Sequence, residues 1–340
     1  MNTTTPPASA EMRRLMSLIN GYRATQAIHV AVLLGIPELV AERPRHGEDL
    51  AVTTQTHPAS LLRLLRTLKA LDLLREDADG WFSATPSGQL LTSASSKSLR
   101  AWAHLMGSGR MWAAWGGLLQ AIRSGQSAFQ QIHGASVWDV RRAHDDDGRL
   151  FSLAMREATH NLAAEILTNV DFSGSSHVID IGGGDGTLIS RILGEWQHLR
   201  ATLFDLPYAI ENLDPMTLSD CAADRVEVIS GDFFSGIPHG GDTYILKHVL
   251  HDWSDPEAEK ILRQCRTAIE GSGRLLIIER LLGHDNESLE ANLADLHMMV
   301  VTGGRERSHD EMMSLLQRCG FTVAKITQLS AGRFVVEAGS

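Results

Sequence analysis

Apolar residues recur at helical spacing over residues 11–34, and this pattern predicts a long helix that ends at Gly35. A second amphipathic pattern, with leucines three and four residues apart, predicts a helix over residues 57–74. A glycine-bearing turn and a short strand over residues 81–84 follow. Helices followed by a small β-wing are the order of elements in a winged-helix module. We therefore predict an N-terminal all-helical, winged-helix-like domain.

The pattern changes after this domain. Residues 100–168 keep helical periodicity almost throughout, whereas from residue 175 short apolar runs alternate with helical stretches. Such alternation is typical of a parallel sheet with right-handed crossovers. The last two runs have no helix between them, so we predict a Rossmann-like α/β domain of five parallel strands plus a C-terminal antiparallel hairpin. The predicted strands are residues 177–181, 201–204, 226–229, 243–246 and 275–278, with residues 321–329 and 333–337 in the hairpin.

The composition is that of a globular chain with about two domains. Its 340 residues are 43% hydrophobic and 21% charged, and the net charge is −10. No apolar run approaches the roughly 20 residues of a membrane span, and the start has no apolar segment typical of a secretory signal. We therefore expect a cytoplasmic protein with no nucleic-acid and no membrane partner.

Neither the cysteines nor the acidic residues show metal-ligand spacing. The three cysteines, Cys221, Cys265 and Cys319, lie far apart and form no CxxC pair, which favours a reducing cytoplasm. The acidic run at residues 145–147 lacks the alternating spacing of a calcium loop, so we interpret it as a solvated turn.

A winged-helix domain raises the question of DNA binding. Arg63, Arg66 and Lys69 on the second predicted helix form either a phosphate-binding stripe or a solvated face. Residues 1–100 carry a net charge of only +2, too small for the several phosphate neutralisations that DNA affinity needs. We prefer the solvated face, and the leucine-rich helices suit packing against a second copy of the chain.

The sharpest local motif follows the first predicted strand of the sheet, where residues 182–186 are Gly-Gly-Gly-Asp-Gly. Glycine backbone lets a ligand approach closely and adopts positive φ. The dinucleotide fingerprint G-x-G-x-x-G/A fails here, because Thr187 or Ile189 stands where its third glycine belongs. The loop therefore favours a nucleoside ligand other than a dinucleotide.

The next two strand ends also carry polar groups. Asp205 ends the second strand, where its carboxylate can accept hydrogen bonds from two ribose hydroxyls. Asp232 and Phe233 follow the third strand and could bind and cover an adenine. An adenosine without a pyrophosphate is the simplest ligand for the three strand ends together. The alternative is that each aspartate only caps the next helix.

Several segments make the sequence resemble S-adenosylmethionine (SAM)-dependent O-methyltransferases of the plant caffeate/hydroxyindole type, and especially their bacterial antibiotic-tailoring relatives. The most specific segment, residues 247–255, is Lys-His-Val-Leu-His-Asp-Trp-Ser-Asp. Ser308 stands where threonine is usual, and Asp185 interrupts the glycines; neither residue is expected to carry chemistry. The other matching segments are residues 34–36, 151–155, 180–186, 205–207, 231–233, 279 and 303–308.

The resemblance implies an organisation and a reaction. Residues 1–98 would be the dimerisation domain, residues 99–168 connecting helices that line the acceptor pocket, and residues 169–340 the catalytic domain. A methyl group would pass from SAM to a hydroxyl of an aromatic secondary metabolite, leaving S-adenosylhomocysteine, without a metal ion. Family members form homodimers through the N-terminal domain.

The resemblance also implies the site residues. The catalytic residues would be His251, Glu279 and Glu306. The cofactor-binding residues would be Asp180, Gly182, Gly184, Asp205, Leu206, Asp232, Phe233, Lys247 and Trp253. The substrate-binding residues would be Trp102, Met106, Met155, Asp252, Met298 and Met299, to which the aromatic and methionine content adds Trp112 and His160 as pocket candidates.

The acid–base properties of a histidine side chain, apart from the resemblance, also suit His251 to this reaction. A phenolic acceptor has a pKa of about 10, whereas an unperturbed imidazole has a pKa of about 6.5 and is mostly unprotonated at neutral pH. It can take the phenolic proton as the methyl group moves. Glu279 and Glu306 come from distant segments that could converge on the far ring nitrogen and fix its tautomer. His248, three residues earlier, is expected to point elsewhere.

Three other functions stay open at this point. A related enzyme on the same scaffold could use SAM for hydroxylation, decarboxylation or a pericyclic step. A winged-helix regulator is disfavoured by the net charge of −10. A nicotinamide dehydrogenase is disfavoured by Thr187 in the glycine loop.

Overall fold

The computed structural model describes residues 9–211, 213, 217–218, 224–283 and 288–339. The chain divides into two compact units, Met1–Gly109 and Arg110–Ser340. Cys265 and Cys319 are buried free thiols, and Cys221 lies outside the described residues.

The first unit is helical with a small sheet. Its strands pair antiparallel in the order β1-β3-β2, which forms the predicted wing with two more strands than the sequence indicates. Apolar side chains of the second and fourth helices, such as Ile36 and Leu65, share one core with Phe82 of the wing. The elements are α1 Ala10–Leu33, α2 Ile36–Glu42, β1 Arg45–His46, α3 Gly47–Thr53, α4 Pro58–Ala70, β2 Leu74–Glu76, β3 Trp81–Ala84, α5 Pro86–Gln89 and α6 Arg100–Gly107.

Helix α1 has an apolar face that is exposed to solvent in the single chain. More than half of the accessible surface of each of its large apolar residues near the N-terminus is exposed. In the described chain no single helix is long and apolar enough to cross a membrane; α1 and α2 reach that length and composition only as a pair bent by 63°. The exposed residues of this face are Met12, Leu15, Met16, Leu18, Ile19 and Tyr22.

The second unit begins with short helices and one long one. The acidic run predicted as a solvated turn is instead the first turn of the long helix α11. The three aspartates suit this position because carboxylates near a helix N-terminus interact favourably with the helix dipole. The helices are α7 Gly109–Gly116, α8 Leu118–Ser124, α9 Ala128–His133, α10 Val137–Ala143 and α11 Asp145–Asn169.

The remainder of the second unit is the α/β sheet. Its strands are β4 His177–Ile181, β5 Arg200–Asp205, β6 Val226–Ser230, β7 Thr243–Lys247, β8 Arg274–Leu282, β9 Arg307–Ser308, β10 Thr322–Gln328 and β11 Arg333–Gly339. Its helices are α12 Thr187–Glu195, α13 Pro207–Glu211, α14 Asp255–Ala268, α15 Leu289–Val301 and α16 His309–Arg318, with 3₁₀ turns at Leu250–Asp252 and Ser330–Gly332.

The sheet order is β10-β11-β8-β7-β4-β5-β6. Strands β8, β7, β4, β5 and β6 are parallel, and β11 and β10 are antiparallel, which confirms the predicted five strands plus hairpin. The two-residue strand β9 beside β8 was not predicted. The order reverses between β4 and β7, and in such sheets ligands bind at the carboxyl ends of the strands beside that reversal.

Alternate residues of the central strands pack in opposite directions. Ile179 and Tyr244 face a core built with α14 and α16, whereas Val178 and Ile245 face a core built with α11 and α12. Burial on both faces explains why these strands read as continuous apolar runs in the sequence. Because both faces of these strands are packed, their carboxyl ends, which carry the candidate site residues, are held in place.

Candidate active site

The glycine loop between β4 and α12 is held by Asp205 at the end of β5. The Gly184 N–H donates to Asp205 Oδ2 at 2.8 Å, and the Leu206 N–H donates to Oδ1 at 2.6 Å. Burial raises the pKa of the Asp205 carboxyl, and these two backbone donors oppose the rise. Each oxygen keeps a second lone pair, so the geometry leaves room for the expected ribose hydrogen bonds.

The loop needs glycine for two different reasons. A Cβ at Gly183 would lie 2.4 Å from the Leu203 side chain and 2.8 Å from the Asp180 carboxylate. At Gly184 there is open space, but φ is +60°, which L-residues rarely adopt. The backbone is therefore exposed to an incoming ligand at Gly184 and packed tightly at Gly183.

Beneath this loop lies a buried acid, Asp180. Asp180 is buried, and neither of its carboxylate oxygens has a hydrogen-bond partner among the described residues. Burial raises the pKa of Asp180 to about 7, with the charge of Lys247 opposing and those of Asp205 and Asp185 adding to it. Burial lowers the pKa of Lys247, which the charges of Asp180 and Glu279 oppose. Such unpartnered buried groups fit a polar ligand at this strand end.

Asp185, which interrupts the glycines, has a structural role. Its Oδ1 accepts from the Thr187 N–H at 3.2 Å and the Thr187 hydroxyl at 2.7 Å, at the start of α12. Its other oxygen accepts from Arg156 of α11. Its hydrogen bonds therefore fix the start of α12 and connect it to the long helix.

The residues predicted to bind adenine lie in a cluster of aromatic rings. Phe233 and Phe234 follow β6, and their rings meet the Trp253 ring edge-on at 5.9 Å and 4.7 Å between centroids. Asp232 is exposed and accepts from the Phe234 N–H at 2.9 Å, so it shapes this turn. The helix-cap alternative therefore does not describe Asp232, because no helix begins in its turn.

The turn after β7 carries His251, and Glu279 of β8 organises its backbone. Glu279 Oε1 accepts from the N–H groups of Val249 and Leu250, both at 2.9 Å, and more weakly from that of His251 at 3.4 Å. One buried carboxylate therefore satisfies most of the free donors of a tight 3₁₀ turn.

The same carboxylate and Glu306 meet one nitrogen of the His251 ring. His251 Nδ1 lies 3.2 Å from Glu279 Oε2 and 3.2 Å from Glu306 Oε1. Among the described residues Nε2 has no hydrogen-bond partner, and Asp252 Oδ1 is 4.0 Å away. In the neutral form of the ring Nδ1 therefore carries the proton, and the lone pair lies on Nε2.

These charges change the acid–base properties of the ring. Burial alone would lower the pKa of His251, but Glu279, Glu306 and Asp252 outweigh it and raise that pKa to about 10. Burial and neighbouring acids raise the pKa of Glu279 to about 7 in turn. The expectation of an unperturbed imidazole is wrong, because the sequence could not show that two buried carboxylates share one nitrogen. His251 and Glu279 therefore titrate as a coupled pair.

The prediction that His248 points away from His251 is wrong. Its ring stacks on the His251 ring at 5.6 Å between centroids and 15° between planes. Residues three apart in a tight turn lie on the same side, and a positive φ of 55° at His248 accompanies this arrangement. Burial, followed by the charges of Lys247 and His251, holds the pKa of His248 well below its ordinary value. A neutral ring therefore flanks the candidate base.

A second segment holds Glu306 in place. The Arg305 N–H donates to the His251 carbonyl at 2.9 Å, and a Cβ at Gly304 would lie only 2.1 Å from that oxygen. The Glu306 N–H donates to Asp295 Oδ1 of α15 at 2.8 Å. This close approach explains why residue 304 is a glycine.

Arg307 locks the same turn from its other side. Its buried guanidinium donates to the carbonyls of Leu250 at 2.7 Å and Trp253 at 2.9 Å, and to Asp255 Oδ1 at 2.9 Å. Arg307 is not among the site residues predicted from the sequence. Its place beside Glu306 in a matching segment was the only available signal.

The predicted acceptor residues fall in both units. Trp102 is exposed and Met106 half-buried on α6 of the first unit, and their role stays a prediction. Met155, Asp252, Met298 and Met299 are half-buried in the second unit. His297, beside these methionines on α15, was missed; its Nδ1 lies 3.2 Å from the Trp115 indole nitrogen, and burial lowers its pKa to about 4.

The three catalytic candidates also have a spacing that a metal ion could use. One ligand atom from each of His251, Glu279 and Glu306 lies within 4.8 Å of the others. Glu279 and Glu306 each keep one buried oxygen without a hydrogen bond among the described residues. The expectation of metal-free chemistry therefore needs its own test.

Comparison with known proteins places this geometry in a family. The chain matches a family model described as an O-methyltransferase domain over residues 115–322 and one described as an O-methyltransferase dimerisation domain over residues 16–94. It is 36% identical over 324 residues to the phenazine O-methyltransferase PhzM of Lysobacter antibioticus, with 95% of each chain covered.

Two further similarities agree. The chain is 36% identical over 319 residues to the 3-amino-4-hydroxybenzoate 4-O-methyltransferase of Streptomyces cremeus, covering 93% of this chain and 87% of the relative. The crystal structure of human N-acetylserotonin methyltransferase in complex with SAM matches with a TM-score of 0.92 at 25% identity, over 99% of each chain. The resemblance inferred from the sequence is confirmed, and the chain belongs to the SAM-dependent O-methyltransferases.

Proposed function

We propose that this enzyme transfers a methyl group from SAM to a hydroxyl of an aromatic small molecule, with His251 as the general base. The observation that carries the proposal is the His251 ring, with Nδ1 3.2 Å from two carboxylates and Nε2 free of hydrogen bonds in the described chain. The named relatives act on a phenazine and on an aminohydroxybenzoate. We infer an aromatic secondary metabolite as the acceptor.

The residues at the carboxyl ends of β4, β5 and β6 fit SAM. The open backbone at Gly184 and the spare lone pairs of Asp205 suit a nucleoside, and the unpartnered carboxyl of Asp180 suits a polar amino-acid end. SAM, when bound, supplies a methyl group on a sulfonium, which is already a strong electrophile. The chain's residues proposed to hold it are Asp180, Gly182, Gly184, Asp205, Leu206, Asp232, Phe233, Lys247 and Trp253.

His251 is proposed to accept the hydroxyl proton at Nε2. The neighbouring carboxylates raise the pKa of His251 toward that of a phenol, so the neutral form of the ring is a strong enough base to take the hydroxyl proton. Glu279 and Glu306 then stabilise the imidazolium through Nδ1. General-base catalysis of this kind contributes roughly 10²–10⁴ in rate.

Positioning is proposed to contribute more than the base. Holding the acceptor oxygen in line with the methyl group is worth roughly 7–11 kcal/mol in favourable cases. Met155, Met298 and Met299 would supply an adaptable apolar surface for a flat ring, and Asp252 a polar group beside His251. Trp102 and Met106 are proposed to add to the acceptor pocket.

The reaction is proposed to need no metal ion. A metal bound to Nδ1 would displace the proton that fixes the tautomer of His251 and would screen Glu279 and Glu306 from the ring. Dialysis against a chelator should therefore leave the rate of methyl transfer unchanged. A rate that falls and is restored by a divalent cation would contradict this part of the proposal.

The protein is proposed to be a homodimer that assembles through the first unit. The matched dimerisation domain and the exposed apolar face of α1 support this. Leu15→Glu should convert the dimer to a monomer in sedimentation experiments, whereas Val52→Glu, also exposed but outside that face, should not. A dimer that survives charge on α1 would contradict the proposed surface.

The free thiols of Cys265 and Cys319 support a cytoplasmic location. Both are buried, and burial raises the pKa of Cys265 and of Cys319. Burial and a raised pKa both disfavour the thiolate, so we expect both thiols to stay unmodified.

The function is tested by incubating the protein with SAM and a panel of phenols, naphthols and hydroxyphenazines. We expect S-adenosylhomocysteine and an O-methylated product in equal amounts with at least one class. S-adenosylhomocysteine without methylated product, or a product changed by hydroxylation or decarboxylation, would contradict the proposal.

A further inference from the structure

Arg141 of α10 is a buried arginine held by aromatic rings. Its side chain is 6% exposed, and its guanidinium carbon lies 3.4 Å from the centroid of the Phe151 ring and 4.8 Å from that of Trp138. Cation–π contacts of this kind use the flat faces of the guanidinium. The N–H donors point outward in its plane, so the rings satisfy none of them.

In the part of the chain that the structure describes, no acid pairs with this cation. Across the described residues, no carboxylate oxygen lies within 4.0 Å of the Arg141 guanidinium, and it makes no hydrogen bond. The other arginines in this region differ: Arg142 pairs with Asp139, and Arg110 pairs with Asp147 at 3.0 Å. A buried charge without a partner is costly, so folding alone does not account for Arg141.

Arg141 lies next to the candidate active site. The Trp138 ring stacks on Trp253 at 6.2 Å and 18°, two residues after His251. The charge of Asp252 acts on Arg141, and the charge of Arg141 contributes to lowering the pKa of His297. An unpaired guanidinium therefore borders the pocket in which the acceptor is proposed to bind.

We propose that Arg141 binds the carboxylate of a ligand, and that this ligand is an aromatic acceptor that carries a carboxylate as well as the methylated hydroxyl. The inference rests on the proposed function, whose acceptor class it narrows. A planar guanidinium presents paired donors that match the two oxygens of a carboxylate. Stacking on Phe151 and Trp138 fixes the plane in advance, which reduces the entropy lost on binding.

The methionyl carboxylate of SAM is the other source of the same group. Trp253, which joins the aromatic cluster of Arg141, is proposed to flank the adenine of SAM. The methionyl carboxylate is at the opposite end of that molecule. The acceptor is therefore the favoured source, and the experiment separates the two.

The test compares acids with their uncharged amides: 1-hydroxy-2-naphthoate with 1-hydroxy-2-naphthamide, and 4-hydroxybenzoate with 4-hydroxybenzamide. Binding to the full-length protein saturated with S-adenosylhomocysteine is measured by calorimetry. Wild type should bind at least one acid about tenfold or more tightly than its amide. Arg141→Met should abolish this preference and leave the amide affinity within about twofold.

Two variants keep the result interpretable. Arg142→Met, one position along the same helix, removes an exposed arginine and should leave the preference intact. Arg141→Lys keeps a charge without the planar fork and should retain part of the preference. It serves in place of Arg141→Met if the methionine variant does not fold.

A parallel arm tests the donor. Wild type and Arg141→Met are titrated with S-adenosylhomocysteine and with 5′-methylthioadenosine, which lacks the amino-acid end. A loss confined to S-adenosylhomocysteine would show that Arg141 binds the donor's carboxylate and would overturn the acceptor assignment. Equal affinity of wild type for every acid and its amide would overturn it as well, whereas methyl transfer to neutral phenols would still uphold the proposed function.

Discussion

The loop after β4 and the turn after β7 lie at the same edge of the sheet but are built by different means. The loop is shaped by backbone: positive φ at Gly184 and one carboxylate, Asp205, from the neighbouring strand. The turn is shaped by side chains from distant segments, Glu279 and Glu306, which meet at one ring nitrogen of His251. The loop suits a ligand that every family member shares, and the turn suits proton transfer.

This difference has an energetic consequence. The buried acids at the loop are Asp180, at its base, and Asp185, which pairs with Arg156; the ligand-facing part of the loop depends on backbone conformation. The turn concentrates buried acids around one base, so removing any member changes the charge and hydrogen bonding of the others. Substitutions at the two places should therefore separate ligand affinity from proton transfer.

The largest effect is expected for His251→Ala. Without the base, turnover of a phenolic acceptor should fall by roughly 10²–10⁴, because the phenol must lose its proton to water. Affinity for S-adenosylhomocysteine, measured by calorimetry, should stay within about twofold, since the loop is untouched. His239→Ala, an exposed histidine, is the control. A wild-type rate in His251→Ala would remove this residue from the mechanism.

Glu279→Ala should destabilise the fold. It leaves the N–H groups of Val249 and Leu250 buried without an acceptor, and we expect a loss of about 3 kcal/mol in the free energy of unfolding. Urea denaturation measures it. Glu290→Ala, which removes an exposed partner of Arg280, should cost less than about 1 kcal/mol. Equal losses would mean that Glu279 does not organise the turn.

Gly184→Ala tests the loop alone. A Cβ there meets no neighbouring atom, so the only cost is the positive φ, about 1–2 kcal/mol. We expect roughly tenfold weaker binding of S-adenosylhomocysteine. The control is Gly236→Ala, where a Cβ also has open space and φ is not positive. Unchanged affinity in Gly184→Ala would show that the loop backbone does not contact the ligand.

Glu306→Gln tests the charge around the base. Carboxylates raise the pKa of His251, so wild-type kcat/KM should increase with pH above neutrality as the ring loses its proton. Removing one charge lowers that pKa, and the increase should move to lower pH by about one unit. Asp310→Asn, an exposed acid, is the control. A profile that does not move would separate Glu306 from the proton transfer.

The sequence is most informative where structure is local. The strands around residues 178 and 245 were predicted because burial on both faces leaves continuous apolar runs. The glycine loop was identified because its backbone requirement is written in consecutive residues. The acidic first turn of α11 was misassigned, because a short polar run does not distinguish a turn from a helix start.

The rest depends on three-dimensional proximity. The sequence placed Glu279 and Glu306 near His251 only through family resemblance, and it could not show that both face Nδ1 and raise the ring's pKa. No pattern in the sequence separates Arg141 from Arg142 beside it, and only the packing of α10 against Phe151 shows that Arg141 is buried. Charge interactions between distant segments leave no periodic signal.

The most direct test of the base is a series of phenolic acceptors of decreasing pKa, methylated at one fixed pH by wild type and by His251→Ala. If His251 removes the acceptor's proton, the rate advantage of wild type should be largest for phenols with a pKa of about 10 and should shrink toward one for nitrophenols that are already ionised. A rate ratio that stays constant across the series would contradict the account, because His251 would then act on something other than that proton.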